Sequence, residues 1–200
     1  MITKNEVKDR EQKKALNAWA KAGFVGSIIA GTGYGKSRCG VLAAAYILGK
    51  DKETRGLVLV PTTQLKDQFT AEFAKWGKED VLPQLEVVCY QSAYKLKNEQ
   101  YDIVICDEVH MGLSPKYRRF FENNTYKALL CMTATMPEEP EYCTLLQKLA
   151  PTNYRISLDE CVSLGLVSPY EIHCIPVELT KKERKDYIDI NNKFVYWSYQ

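Results

Sequence analysis

A chain of 200 residues can bury one substantial core, and 46% hydrophobic with 26% charged residues is an ordinary globular composition. The net charge of +2 is too small to argue for any partner, so nucleic acid would have to meet a local basic patch. The longest apolar run, 41–48, is too short to span a bilayer, and the polar start M-I-T-K-N-E-V-K-D-R is no signal peptide. The expectation is a cytoplasmic protein (host-cell cytoplasm if viral) with no membrane partner. Seven cysteines at 39, 89, 106, 131, 143, 161 and 174 form no C-x-x-C pair and read as reduced core residues, not a zinc site.

The chain opens on a charged helix over 4–22, with Ala15, Leu16, Trp19 and Ala20 on one face. A strand over 24–30 runs into A-G-T-G-Y-G-K-S, residues 30–37, and then a helix over 39–48. Gly31, Gly33 and Gly35 let the backbone approach a ligand closely. Amides from Thr32, Tyr34 and the first helical residues, among them Arg38, converge there at the positive end of the helix dipole. Lys36 adds a charge for the outer phosphates, and the Ser37 hydroxyl is suited to Mg²⁺.

A continuous apolar run, 56–60, reads as a strand buried on both faces; Pro61-Thr62-Thr63 ends it, and a helix follows to about 76. The threonines serve either as a plain helix cap or, with the helix amides, as a seat for a nucleic-acid phosphate. Further strands are expected over 85–90, 101–106, 126–132, 154–158 and 170–177, with helices over 114–121, 140–149 and from 181 onward. Strand and helix alternate through the first 150 residues. That is the pattern of an α/β fold, a mostly parallel sheet with helices on both faces and ligands at the carboxyl ends of its strands.

The run 103–106 ends in Asp107 and Glu108. Adjacent carboxylates past a buried strand are costly unless a cation or water meets them. Asp107 suits a Mg²⁺ carried by phosphates, and Glu108 suits activation of the attacking water. His110 is either surface polarity or a hydrogen-bond partner of Thr133 or Thr135 in the Thr133-Ala134-Thr135 turn. The basic trio Lys116, Arg118 and Arg119 reads as a solvated helix face or as a contact to a phosphate backbone.

These motifs, A-G-T-G-Y-G-K-S, V-P-T-T-Q-L, D-E-V-H and T-A-T, in this order and at family-like spacing, resemble the superfamily-2 helicases and translocases, the relatives of the DEAD/DEAH-box proteins. The resemblance covers about residues 10–180. It implies a RecA-like P-loop NTPase domain using ATP and Mg²⁺, with Lys36, Asp107 and Glu108 catalytic and Ser37 and Asp107 on the metal. It further implies nucleic-acid contact at Pro61, Thr62, Thr63, Gln91 and Ser92, and coupling through His110, Thr133 and Thr135. Gln12 matches the family's adenine-reading glutamine, although Asp9 stands where relatives often carry an arginine. The form D-E-V-H points to DNA rather than RNA.

By the same resemblance, residues 1–178 form the ATP-binding motor domain and 179–200 a helical segment leading to a second RecA-like domain, in the same polypeptide or a partner chain. Without that domain's arginines, hydrolysis by 1–200 is expected to be slow or absent. The competing readings are a nucleic-acid module that uses ATP as a switch, and a P-loop enzyme on small molecules, which leaves T-A-T unexplained. The aromatics Phe194, Tyr196, Trp197 and Tyr199 would stack on bases or pack on another domain.

Overall fold

The structure, a computed structural model, describes residues 3–171 and 173–198, without the side chains of 4 and 193–198. The C-terminal aromatics named above therefore lie outside the described side chains. The chain divides into two compact units, 1–168 and 169–200.

The first unit alternates helix and strand: α1 (Lys4–Lys21), β1 (Val25–Ala30), α2 (Lys36–Leu48), β2 (Gly56–Val60), α3 (Thr63–Lys75), β3 (Leu85–Cys89), α4 (Tyr90–Ala93), β4 (Gln100–Cys106), α5 (Arg119–Asn123), β5 (Thr125–Thr133), α6 (Pro140–Leu149), β6 (Thr152–Ile156) and α7 (Leu158–Ser163). The six strands form one sheet in the order β3-β2-β4-β5-β1-β6, and every pairing is parallel.

Side chains alternate across the pleat, so each strand feeds two cores. Val58, Val60, Ile103, Ile105, Leu130 and Met132 pack on the side of α1, α2 and α3. Leu57, Leu59, Val104, Cys106, Leu129 and Cys131 pack with Tyr90, Leu113, Phe120 and Leu146 on the other. Helices on both faces explain why β2 and β4 are apolar without a break. Trp19 of α1 is buried, and its indole N–H donates to the Leu129 carbonyl at 2.9 Å.

Three expectations need correction. The first helix after His110 is displaced: Val109–Leu113 is a 3₁₀ turn, and α5 starts at Arg119 rather than near 114. The last strand runs 152–156 rather than 154–158, because Ser157 and Glu160 form a capping box that starts α7 at Leu158. Among the described residues, 170–177 contains no strand. Pro169 precedes this run and Pro176 falls within it, and proline removes the N–H that a sheet ladder requires.

The second unit holds α8 (Lys181–Ser198), which opens on Thr180 with its hydroxyl accepting from the Glu183 amide at 3.3 Å. Among the described residues, no helix is long and apolar enough to cross a membrane.

Candidate nucleotide and nucleic-acid site

The carboxyl ends of β4, β5 and β1 lie side by side in the middle of the sheet. Two strand spacings, about 10 Å, separate the outer pair. The loop after β1, the acids after β4 and the threonines after β5 therefore share one rim. β2 and β3 continue that rim on one side, bringing Pro61–Thr63 beside Gln91 and Ser92.

The turn from β1 to α2 is built on left-handed glycines, Gly33 at φ +87° and Gly35 at φ +91°. Gly35 also stands where a Cβ would come within 2.5 Å of the Gln12 amide nitrogen, so both conformation and space call for glycine. Gly31 is half-buried and Thr32 exposed, while the Tyr34 side chain is fully buried under the loop. Only the main chain of Tyr34 is left for a ligand. Lys36 donates to the Ala30 carbonyl at 2.8 Å, and Lys8 of α1 donates to the Gly33 carbonyl at 2.8 Å.

Gln12 is 1% exposed, with both its N–H donors engaged. Its amide nitrogen donates to the carbonyls of Tyr34 (2.9 Å) and Gly35 (3.2 Å), and its oxygen accepts from Arg38 at 2.6 Å. Arg38 also donates to Asp9 at 2.7 Å, and its guanidinium lies 4.3 Å from the Trp76 ring centroid. Arg38 thus ties Gln12 and Asp9 together beside the loop. These groups line a cleft of about 630 Å³ with Lys8, Gly35 and Ser37.

Ser37 and Asp107, far apart in the chain, line a second cleft of about 320 Å³. Asp107 is 9% exposed. Burial pushes its carboxyl up to about 6, the neighbouring Glu108 charge pushes the same way, and Lys36 opposes them. A carboxylate so placed is stabilised by an arriving cation, and the Ser37 hydroxyl on the same cleft is a second oxygen donor of the kind Mg²⁺ takes.

Glu108 takes the left-handed conformation, φ +47° and ψ +57°, a strained geometry for a side chain with a Cβ. The turn swings its carboxylate toward β5. The Thr133 hydroxyl lies 3.3 Å from it, and His110 Nδ1 lies 3.4 Å from the same oxygen. His110 Nδ1 is 3.2 Å from the Thr133 hydroxyl, which also lies 3.0 Å from the Thr135 carbonyl. A hydroxyl has one proton, so Thr133 donates either to Glu108 or to Thr135. Glu108, His110 and Thr133 thus lie within 3.4 Å of one another, with the Thr133 hydroxyl in contact with both of the others.

On the outer strands, the Thr62 hydroxyl accepts from the Leu65 amide at 3.3 Å and caps α3, while Thr63, Gln91 and Ser92 are exposed. Sequence reasoning missed Lys8, Trp76 and the inward contact of Tyr90. Lys8 was within reach of it, because Lys8 and Gln12 stand four apart on one helical face. Tyr90 carries no such signal: its hydroxyl donates to the Asp107 carbonyl at 3.0 Å, and its ring packs where Gly112 lacks a side chain.

Residues 9–102 match the DEAD/DEAH box helicase family, and residues 78–138 match the type III restriction enzyme res subunit. No curated protein matches the chain by sequence. Similar solved structures include the Pyrococcus furiosus Hef helicase domain, at 16% identity and TM-score 0.54 over 78% of this chain and 39% of that one. The UvsW helicase from bacteriophage T4 aligns at 15% identity and TM-score 0.54 over 78% of this chain and 68% of that one. The Sulfolobus solfataricus SWI2/SNF2 ATPase core, solved with dsDNA, aligns at 16% identity and TM-score 0.58 over 78% of this chain and 37% of that one. At these identities the likeness is one of fold.

Proposed function

Because the chain carries the N-terminal RecA-like domain of the superfamily-2 helicases and translocases, we propose that it is the ATP-binding and ATP-hydrolysing half of a nucleic-acid motor directed at DNA. The observation that carries this reading is the meeting of Ser37 and Asp107 at one cleft, beside the group formed by Glu108, His110 and Thr133. A P-loop alone serves many enzymes; a P-loop joined to this group suits hydrolysis linked to a second ligand.

In the proposed mechanism, the 31–35 loop amides and Lys36 hold the triphosphate at the N-terminus of α2. Lys36 must leave the Ala30 carbonyl to do so, exchanging a neutral acceptor for an anionic one. Ser37 and Asp107 would hold Mg²⁺, which supplies charge neutralisation on the phosphates. Glu108 orients and deprotonates the attacking water. Thr133 and His110 set the position of its carboxylate, so a shift of the turn after β5 is felt at Glu108.

Pro61–Thr63, Gln91 and Ser92 are the candidate backbone contacts, on the part of the rim away from the nucleotide. The DNA-bound state of the Sulfolobus neighbour supports DNA as the nucleic acid. Following the family resemblance, we assign the charge-stabilising arginine to a second RecA-like domain, in the same polypeptide or a partner chain.

Glu108→Gln in the complete assembly tests the reading. Binding of a fluorescent ATP analogue should persist while DNA-stimulated phosphate release disappears. An assembly whose slow basal release is the same with glutamate or glutamine would instead be an ATP-switched binding module, and the motor assignment would fall.

A further inference from the structure

One surface beyond the nucleotide site is built from lysines held over tyrosines. Lys116 Nζ lies 4.7 Å from the Tyr94 ring centroid and 5.8 Å from that of Tyr117. Lys95 Nζ lies 5.9 Å from the Tyr94 centroid. The Tyr94 and Tyr117 rings are 6.2 Å apart, and Tyr117 continues to Tyr90 at 6.4 Å. Among the described residues, neither lysine forms an ion pair. Arg118 beside them is already occupied, at 3.3 Å from Glu122 and 3.8 Å from Glu141.

We propose that Lys95 and Lys116 form a phosphodiester-binding patch that extends the contact at Gln91 and Ser92 along a bound nucleic-acid strand. The proposal rests on the reading that this rim meets nucleic acid. Two ammonium groups lie within 6 Å of one tyrosine ring, and among the described residues no carboxylate pairs with either, so both charges are open to an anion. The lysines also cover the Tyr94 ring, so the patch offers charge rather than an open stacking platform. The ligand it fits is therefore the sugar-phosphate backbone, read without regard to base sequence. Lys95 and Lys116 are exposed, as are Gln91 and Ser92 of α4, which ends two residues before Lys95, so the patch adjoins that contact. The patch is tied inward as well, since Tyr117 packs toward Tyr90 and Tyr90 holds the Asp107 carbonyl.

The test is a salt titration of a fluorescein-labelled oligothymidylate against the complete protein, followed by anisotropy. The Lys95→Ala, Lys116→Ala double variant should bind more weakly, with the slope of log affinity against log salt shallower by about 1.4, at about 0.7 per phosphate contact on a single strand. The Lys95→Arg, Lys116→Arg variant should restore the slope. Lys52→Ala, in the turn that leads into β2 at the opposite end of the strands, should leave it unchanged. Wild-type binding with an unchanged slope in the double alanine variant overturns the patch alone. An equal effect from Lys52→Ala reduces it to net charge and also overturns it. A wild-type protein that binds no nucleic acid overturns both this proposal and the motor reading beneath it.

Discussion

Asp107→Asn should separate the stability of the free protein from its ability to hold a cation. Burial and the adjacent Glu108 raise the carboxyl from 3.8 to about 6. For an acid whose pKa is raised by folding, the unfolded chain ionises first. The free protein therefore loses stability as pH rises from the unfolded value to the folded one, and the loss is constant above it. The full difference is on the order of 3 kcal/mol, from about 1.4 kcal/mol per pH unit. Asparagine keeps the shape and cannot ionise. In EDTA, the stability advantage of Asp107→Asn over wild type should grow by roughly 1.5 kcal/mol between about pH 5 and about pH 8. Comparing growth with pH cancels the fixed cost of burying an amide. Urea unfolding at the two pH values, followed by circular dichroism, measures it. The reasoning is refuted if the two proteins keep a constant stability difference across that range. With Mg²⁺ and ATP present, the order should reverse, because only the carboxylate gains a partner.

Two further substitutions probe single contacts. Tyr90→Phe removes the donor to the Asp107 carbonyl and should cost roughly 1–2 kcal/mol in urea unfolding, with an unchanged midpoint showing that the bond contributes nothing. Gly35→Ala meets both a left-handed backbone at φ +91° and the Gln12 amide at 2.5 Å, whereas Gly165→Ala meets only φ +68° with open space around it. Gly35→Ala should therefore lower the melting temperature more than Gly165→Ala; equal shifts would mean that the collision is relieved without cost.

The central sheet was legible because its physics is local. Residues 56–60 and 103–106 have no polar alternation, and only a strand covered on both faces tolerates that. The phosphate loop, the acid pair and the threonine turn were legible as short strings, each at a strand end. The sheet order then brings three of those ends together, a fact that no single string contains. The expected strand over 170–177 misled because apolar spacing outweighed two prolines. The contacts of Trp76 and Tyr90 stayed hidden for a different reason: each residue meets its partner through the order of strands and helices, at separations that carry no periodicity. Arg38 was visible as part of the loop, but not its pairing with Asp9, which depends on how α1 lies against α2.

Gln12 shows how a motif residue can have two roles that only a comparison of ligands separates. The family resemblance assigns it to adenine. In the structure both its N–H bonds go to loop carbonyls and its oxygen accepts from Arg38, so an adenine edge that needs a donor must displace a bond already made, and only the second lone pair of the oxygen is left for the base. Holding the loop helps any triphosphate, because the phosphates and not the base meet it. Gln12→Ala should then weaken ATP and GTP by the same factor, measured by competition against a fluorescent nucleotide. A loss confined to ATP would show that Gln12 also reads the base. The Asp9–Arg38 pair predicts which of the two occurs: while Arg38 stays on Asp9 and over Trp76, the glutamine oxygen keeps its charged donor and has no reason to turn.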